Sequence, residues 1–505
     1  MGLGQTLGAT LVGLDGHVVE IESHVSPGLI AWTVVGLPDA AVLESRDRVR
    51  SALLASGHAP PQARVTVNLS PASLPKVGSG LDLGMSISVL AAGGLVPAGV
   101  RAVAHIGELG LDGRVRPVRG VLPLVMGMVK GGVREVLVPY ENAAEARLVP
   151  GVTVTGVSTL REAVAHHRGD PDLVLDDPPR TQSVPSPAPR ADLRDVVGQP
   201  VGRRVLEVAA AGGHHALLQG PPGAGKTMLA ARLAGLLPDL DDTDALTVTA
   251  IHSVSGTLPS NGLIRRPPFE NPHHTASVAA VVGGGSGVPR PGAISRAHAG
   301  VLFLDEAPEF GRSVIEALRQ PLEEGEVVIH RSRGTARLPA RFILVLTANP
   351  CPCGAGQASS CSCTSVARRR YGARLSGPVL DRVDLQVDLP AVSAARWGGD
   401  GEGEDSRTVA ARVSQARAVA MRRWAAHGIG SNAAVPGQVL RSPPFRLPPG
   451  RLRRLTTAVD HGYLTGRGLD KCIRVAWTLA DLAGVLQPGQ AELDEALELR
   501  SRGAV

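Results

Sequence analysis

Aromatic side chains are scarce in this chain of 505 residues: four Trp, five Phe and three Tyr, 2% of the total. Cores stacked from rings are thereby excluded, and the 43% apolar content has to be packed mainly from Ala, Val and Leu around 61 glycines. No run of about eighteen residues stays apolar and uncharged, so the pattern offers no membrane-spanning helix. The opening "MGLGQTLGATLVGLDG" has neither the basic start nor the long apolar centre of a secretory signal, and a cytoplasmic location is the expectation. Cysteine is rare too, five in all. In a reducing compartment that favours metal ligands or reactive thiols over disulfides. Excess charge is small: the formal net of +6 suits a nucleic-acid partner and equally an arginine-rich proteome, so it decides nothing.

What is present organises the chain into more than one core, as its length requires. The stretch "HRGDPDLVLDDPPRTQSVPSPAPRADLRD", His167 to Asp195, is rich in Pro and small polar residues and reads as a seam. We expect a front α+β domain over 1–168, a linker over 169–192, an α/β core with a parallel sheet over 193–395 and a helical lid over 396–505. In the front domain "HVVEIESHV", "ARVTVNLSP" and "EVLVP" read as strands, and "AAVLESRDRVRSALLASG" and "DLGMSISVLAAGG" as helices.

The chemistry starts at "LLQGPPGAGKTMLAARLAGLL", where Gly220, Pro221, Pro222, Gly223, Ala224, Gly225, Lys226 and Thr227 match G-x-x-x-x-G-K-[ST] between an apolar strand and an Ala/Leu helix. Glycines there let backbone N–H groups curl around phosphates, Lys226 reaches the outer phosphates of ATP and Thr227 suits Mg²⁺. In "GVLFLDEAPEF" a buried-type strand delivers Asp305 and Glu306 to its end, one suited to the Mg²⁺ shell and the other to orienting the attacking water. "FILVLTANP" repeats the design with Asn349, whose amide can hold that water and whose place before Pro also suits a plain turn. Phosphoryl transfer needs a further cation, and Arg382, Arg467 and Arg474 are candidates that spacing alone cannot rank.

Directly after the Asn349 strand, Cys351, Cys353, Cys361 and Cys363 follow the spacing C-x-C-x₇-C-x-C. Structural Zn²⁺, a redox-sensitive dithiol pair and inert cysteines all compete; the even count and a Gly/Ser-rich loop with no other means of order favour zinc. Cys472, in an apolar helical stretch, reads as core packing.

Taken together, "DVVGQPVGRRVLEVAAAGGHHALLQGPPGAGKT", "PPFENPHHTASVAAVVGGG", "GVLFLDEAPEF", "TANPCPCG" and "LSGPVLDRVD" resemble the magnesium-chelatase-like AAA+ ATPases, in particular the ComM/YifB group. The resemblance implies ring hexamers, with Asn349 at the sensor-1 position, Arg382 at the arginine-finger position and Arg467 at the sensor-2 position. It also implies ATP-driven work on DNA, as a helicase or in branch migration. A chelatase-type subunit and a protein-remodelling ATPase are the alternatives. "EEGEVVIHRSRGTARLPARF" reads as a hairpin with Arg331 and Arg333 near its tip, and by the same resemblance it lines a channel for DNA. "NPHHTASVAAVVGGGSG" is a second candidate channel loop; His273 and His274, read as neighbours on a strand, should face apart and share no ion. The front domain is similar to the Lon protease domain through "PKVGSGLDLGMS" and "GELGLDGRVRPVRGVLPLV". Where that likeness places its serine and lysine stand Gly80 and Leu122. A protease fold without protease chemistry is therefore expected, with Ser79 and Lys76 the residues to suspect otherwise.

Overall fold

The computed structural model describes residues 2–97, 100, 102–170, 191–259, 262–285, 289–331, 334–354, 361–375, 377–391 and 403–500. Most of the expected linker over 169–192 and residues 396–402 at the start of the expected helical lid lie outside them, as does Arg333.

The front part is a mixed α/β layer structure. Strands β1 (Gly2–Val12) and β2 (Asp15–Ser26) pair antiparallel along their whole length, and β3 (Ala31–Val35), β4 (Arg64–Ser70) and β5 (Val103–His105) extend the sheet. Between β5 and β8 (Glu135–Pro139) a small ribbon is formed by β6 (Glu108–Leu109) and β7 (Val115–Arg116); β9 (Thr153–Val157) completes the sheet order β3-β4-β2-β1-β5-β8-β9. The strand β4 alternates buried residues with exposed or half-buried ones, the pattern of a sheet with one face on the core. The helix Asp82–Ala92, read from "DLGMSISVLAAGG", is buried along nearly its whole length against β1 and β2.

The second sheet is wholly parallel. It contains β10 (Ala216–Gln219), β11 (Phe269–Glu270), β14 (Val301–Leu304), β17 (Ile343–Ala348) and β18 (Leu385–Asp388) in the order β11-β14-β17-β10-β18. Continuous apolar runs make these strands: "VLFL" and "ILVLTA" are buried at every position because helices cover both faces. Two hairpins stand apart from the sheet, β12 (Gly283–Gly284) with β13 (Arg290–Pro291), and β15 (Glu326–Arg331) with β16 (Gly334–Pro339). The second pairs Glu326–Arg331 with Gly334–Pro339 up to Arg331 opposite Gly334, the hairpin that the alternation implies.

Behind them the chain ends in helices, including Ser406–Trp424, Arg453–Asp460, Gly466–Ala483 and Gln490–Glu498. Their apolar faces join one core with the parallel sheet. Three of the few aromatics are spent there: Trp424 lies 4.4 Å from Phe445 and 5.8 Å from Trp477, ring to ring. Cys472 is buried in the same core, as expected. Among the described residues, no helix is long and apolar enough to cross a membrane.

One expectation fails here. His273 leads into a turn at His274 and Thr275, and neither histidine is on a strand, so the alternation of faces does not apply and their rings approach to 4.1 Å. Even so, the four cysteines are the one group of three or more metal-type side chains that converges among the described residues.

Candidate nucleotide site

Three parallel strands end at the same edge of the sheet, and each delivers one part of the site. From the end of β10 the loop Gly220–Gly225 turns into the helix Lys226–Leu236. Gly223 and Gly225 take φ of +79° and +80°, and the space where their side chains would stand is open. Both features suit a loop whose amides face outward toward an anion. Lys226 lies back across the loop mouth, its Nζ donating to the carbonyls of Gly220 (2.6 Å) and Pro221 (2.9 Å) and to Asn349 Oδ1 (3.0 Å). Burial pushes its pKa below the usual lysine range, countered by the charges of Asp305 and Glu306. That bond to Asn349 joins the end of β10 to the end of β17.

From β14 come the two acids. Thr227 Oγ1 donates to Asp305 Oδ2 at 2.8 Å, and Thr347 Oγ1 donates to Asp305 Oδ1 at 2.5 Å. The Glu306 N–H in turn donates to Thr347 Oγ1 at 2.9 Å. Glu306 itself sits at φ 51° and ψ 46°, a left-handed conformation that costs a non-glycine residue about 1–3 kcal/mol and persists only where its surroundings impose it. Its carboxylate is half exposed and 3.9 Å from His274 Nδ1. Sequence reasoning passes over Thr347, although a signal is there: a hydroxyl inside an otherwise apolar buried strand. The donor set fits Mg²⁺: a hydroxyl and a carboxylate in contact at a strand edge are hard oxygen ligands.

The arginines are elsewhere. Arg382 and Arg467 line one cleft of about 380 Å³ together with Arg474, Lys471, Asp384 and His215. His215 precedes β10 and Asp384 precedes β18, so this cleft lies at the opposite end of the sheet from the phosphate loop, about 13 Å of strand away. Lys471 on the helix Gly466–Ala483 donates to Asp384 Oδ1 (2.5 Å) and to the Arg382 carbonyl (2.9 Å), fixing the arginine's backbone from the lid side. Although burial opposes its charge, Asp384 is held well below the usual carboxylate range by Lys471 and His214. Arg382 pairs with Glu323, while burial and the charges of Arg319 and Arg467 push its pKa down. Of the hairpin residues, the Arg331 backbone closes β15.

A front cavity of about 770 Å³ is lined by Ser79, Glu108, Asp39 and Arg119 with Arg290 of β13. Ser79 donates to Glu108. Lys76 is fully buried and turned away, its Nζ donating to the Pro71 carbonyl.

A phosphate loop, a Thr/Asp pair and a strand-end amide on the order β11-β14-β17-β10-β18 place the chain among P-loop ATPases of the AAA+ class. The family models described as magnesium chelatase, subunit ChlI, match residues 192–397, with related models over 21–142 and, for the C-terminal part, 403–500. A protein of Mycobacterium tuberculosis is 50% identical over the full length of both chains. YifB of Salmonella typhimurium is 40% identical over 97% of this chain and 95% of its own, and the competence protein ComM of Haemophilus influenzae 38% over 97% and 96%. Lon protease of Rhizobium meliloti is 27% identical over 39% of this chain and 25% of its own length. The chain belongs to the magnesium-chelatase-like AAA+ family, in its ComM/YifB group.

Proposed function

We propose that this protein hydrolyses ATP as a hexameric ring motor in which each nucleotide is cleaved between two copies of the chain. The observation that carries the reading is the separation of the charges: Lys226, Thr227, Asp305, Glu306 and Asn349 converge at one edge of the sheet, and Arg382 and Arg467 at the other. Within one copy these two arginines stand away from the phosphate loop, and a neighbouring copy supplies the further cation that phosphoryl transfer requires. Thr227 and Asp305 would hold Mg²⁺, which when bound would supply neutralisation of the charge on the phosphates. Lys226 exchanges the loop carbonyls for the outer phosphates, Glu306 polarises the attacking water, and Asn349 positions it.

The work done is proposed to be on DNA, as a helicase or in branch migration. Two hairpins lie side by side: a side chain built at Gly283 of β12 would meet Ile329 Cδ1 of β15 at 3.2 Å. Arg290 is exposed on the first of them, and β15 of the second ends at Arg331. Cations on such hairpins bind phosphates without reading bases. The relative named a competence protein supports the same direction. The test is the ATPase rate with and without single-stranded, duplex and four-way-junction DNA. Stimulation that fades with salt supports DNA as the track. A requirement for a partner subunit would move the protein to the chelatase type, and stimulation by unfolded polypeptide to protein remodelling.

A further inference from the structure

The four-cysteine cluster is not isolated from the nucleotide site, and its geometry is that of a set of ligands. Cys351 Sγ lies 3.2 Å from Cys353 Sγ and 3.5 Å from Cys361 Sγ, and Cys353 lies 3.7 Å from Cys361. All four sulfurs, Cys363 included, fall within 4.8 Å of one another. A disulfide would bring one pair to about 2.05 Å, and no pair is joined. Four thiolates around one Zn²⁺ at about 2.3 Å form a tetrahedron with edges of about 3.8 Å, close to the separations present. Cys351 is buried and Cys353 exposed, so the quartet has one closed side and one side from which an ion can enter.

Its attachments are what matter. Cys351 follows Asn349 by two residues, and Asn349 Oδ1 accepts from Lys226. Gly354, at φ 67°, rests on the phosphate loop so closely that a side chain there would come within 3.0 Å of Pro222 Cγ. Beyond Cys363 the helix Ser365–Gly372 carries the buried Tyr371, whose hydroxyl lies close enough to the Asn349 backbone to feel its polarity. The cluster thus gathers three segments that touch the nucleotide site: the β17 end, the Pro222 contact and the Tyr371 helix.

We propose that these four cysteines bind one Zn²⁺ and that the loaded cluster braces the phosphate loop and Asn349, so that metal binding and nucleotide binding reinforce each other. The proposal rests on the ATP reading for its second half and on the sulfur geometry alone for its first. Linkage makes the effect reciprocal: zinc tightens nucleotide binding by the factor by which nucleotide tightens zinc.

The experiment uses full-length protein purified without chelator. Metal analysis should find about one zinc per chain, retained in Lys226→Ala and lost in Cys361→Ser. Stripping zinc from the wild-type protein should weaken binding of a fluorescent ATP analogue about tenfold, a coupling of ordinary size between adjacent sites, and adding zinc back should restore it. Saturating nucleotide should slow zinc release to a chromogenic chelator. Gly354→Val, which keeps all four thiols but presses on Pro222, should keep its zinc and lose analogue affinity. Absence of zinc would overturn the site. Zinc bound with equal analogue affinity in loaded and stripped protein, or Gly354→Val binding as wild type does, would overturn the brace. Loaded protein that binds zinc but no nucleotide at all would instead overturn the ATP reading and leave the metal site standing.

Discussion

The front domain and the motor use the same local device and arrive at different chemistry. Each has a strand, a glycine-containing loop and a helix: "SLPKVGSGLD" leads into Asp82–Ala92, and "QGPPGAGKT" into Lys226–Leu236. In the motor the lysine lies across the loop mouth, within reach of a strand-end amide, and the hydroxyl of Thr227 meets a carboxylate beside open glycines. In the front domain the lysine is buried against Pro71, and the acid at the helix start, Asp82, is buried and paired with Arg48 at 2.6 Å. Ser79 has Glu108 for a partner, and a carboxylate is a far weaker base than the imidazole or amine that activates serine nucleophiles. The loop supplies backbone; chemistry requires that charged groups from other strands converge on it.

The sharpest way to break this comparison is to exchange the fates of the two lysines. Lys226→Ala should abolish ATP hydrolysis, whereas Lys76→Met should leave turnover per folded molecule near wild type; a Lys76→Met protein that folds but does not turn over would erase the contrast. Next in size is the tie between lid and sheet. Lys471→Met takes the lysine from the buried Asp384 carboxylate, leaving it only His214 and the His215 N–H, and should cost about 3 kcal/mol in denaturant unfolding. A loss under about 1 kcal/mol would mean the lid is held by its apolar core alone.

Acid should loosen both regions together, which limits how different they are. His105 and His167 in the front domain are pushed down to about 3 and about 4, and His215 and His298 in the motor to about 4, all chiefly by burial. Unfolded histidine titrates near about 6.5, so the unfolded chain takes up protons first. The stability these groups contribute is complete above about pH 6.5 and is lost as the pH falls toward about 4. Calorimetry should show Tm dropping by several degrees between about pH 7 and about pH 5, and a flat Tm would contradict the burial of these rings as neutral groups. The smallest effect is expected at Ser79→Ala, which should change neither ATPase rate nor peptide cleavage, since no cleavage is expected from the wild-type protein.

Much of this is legible without the structure. The phosphate loop and the two strand ends are local patterns, each complete within about ten residues, and their shared sheet edge follows from parallel topology. What is not legible depends on contacts far apart in sequence. Resemblance assigns Arg382 and Arg467 to family positions, but nothing local says that they share one cleft or that it lies at the far end of the sheet from the phosphate loop. The Gly354 contact with Pro222 and the grip of Thr347 on Asp305 are likewise tertiary. The close pair His273 and His274 escapes a reading by strand period because the chain turns there.

The central claim is that one copy of the chain holds half of each site, and subunit mixing tests it most directly. Arg382→Ala should bind ATP yet hydrolyse it about a thousandfold more slowly, the scale seen for arginines supplied by a neighbour. Lys226→Ala should be inactive for want of phosphate binding. Mixed under conditions where subunits exchange, the two inactive proteins form some interfaces that join an intact Lys226 to an intact Arg382, and hydrolysis should reappear in proportion to those interfaces. A mixture that exchanges subunits and stays inactive, or a strictly monomeric wild-type preparation that hydrolyses ATP at full rate, would contradict the shared site.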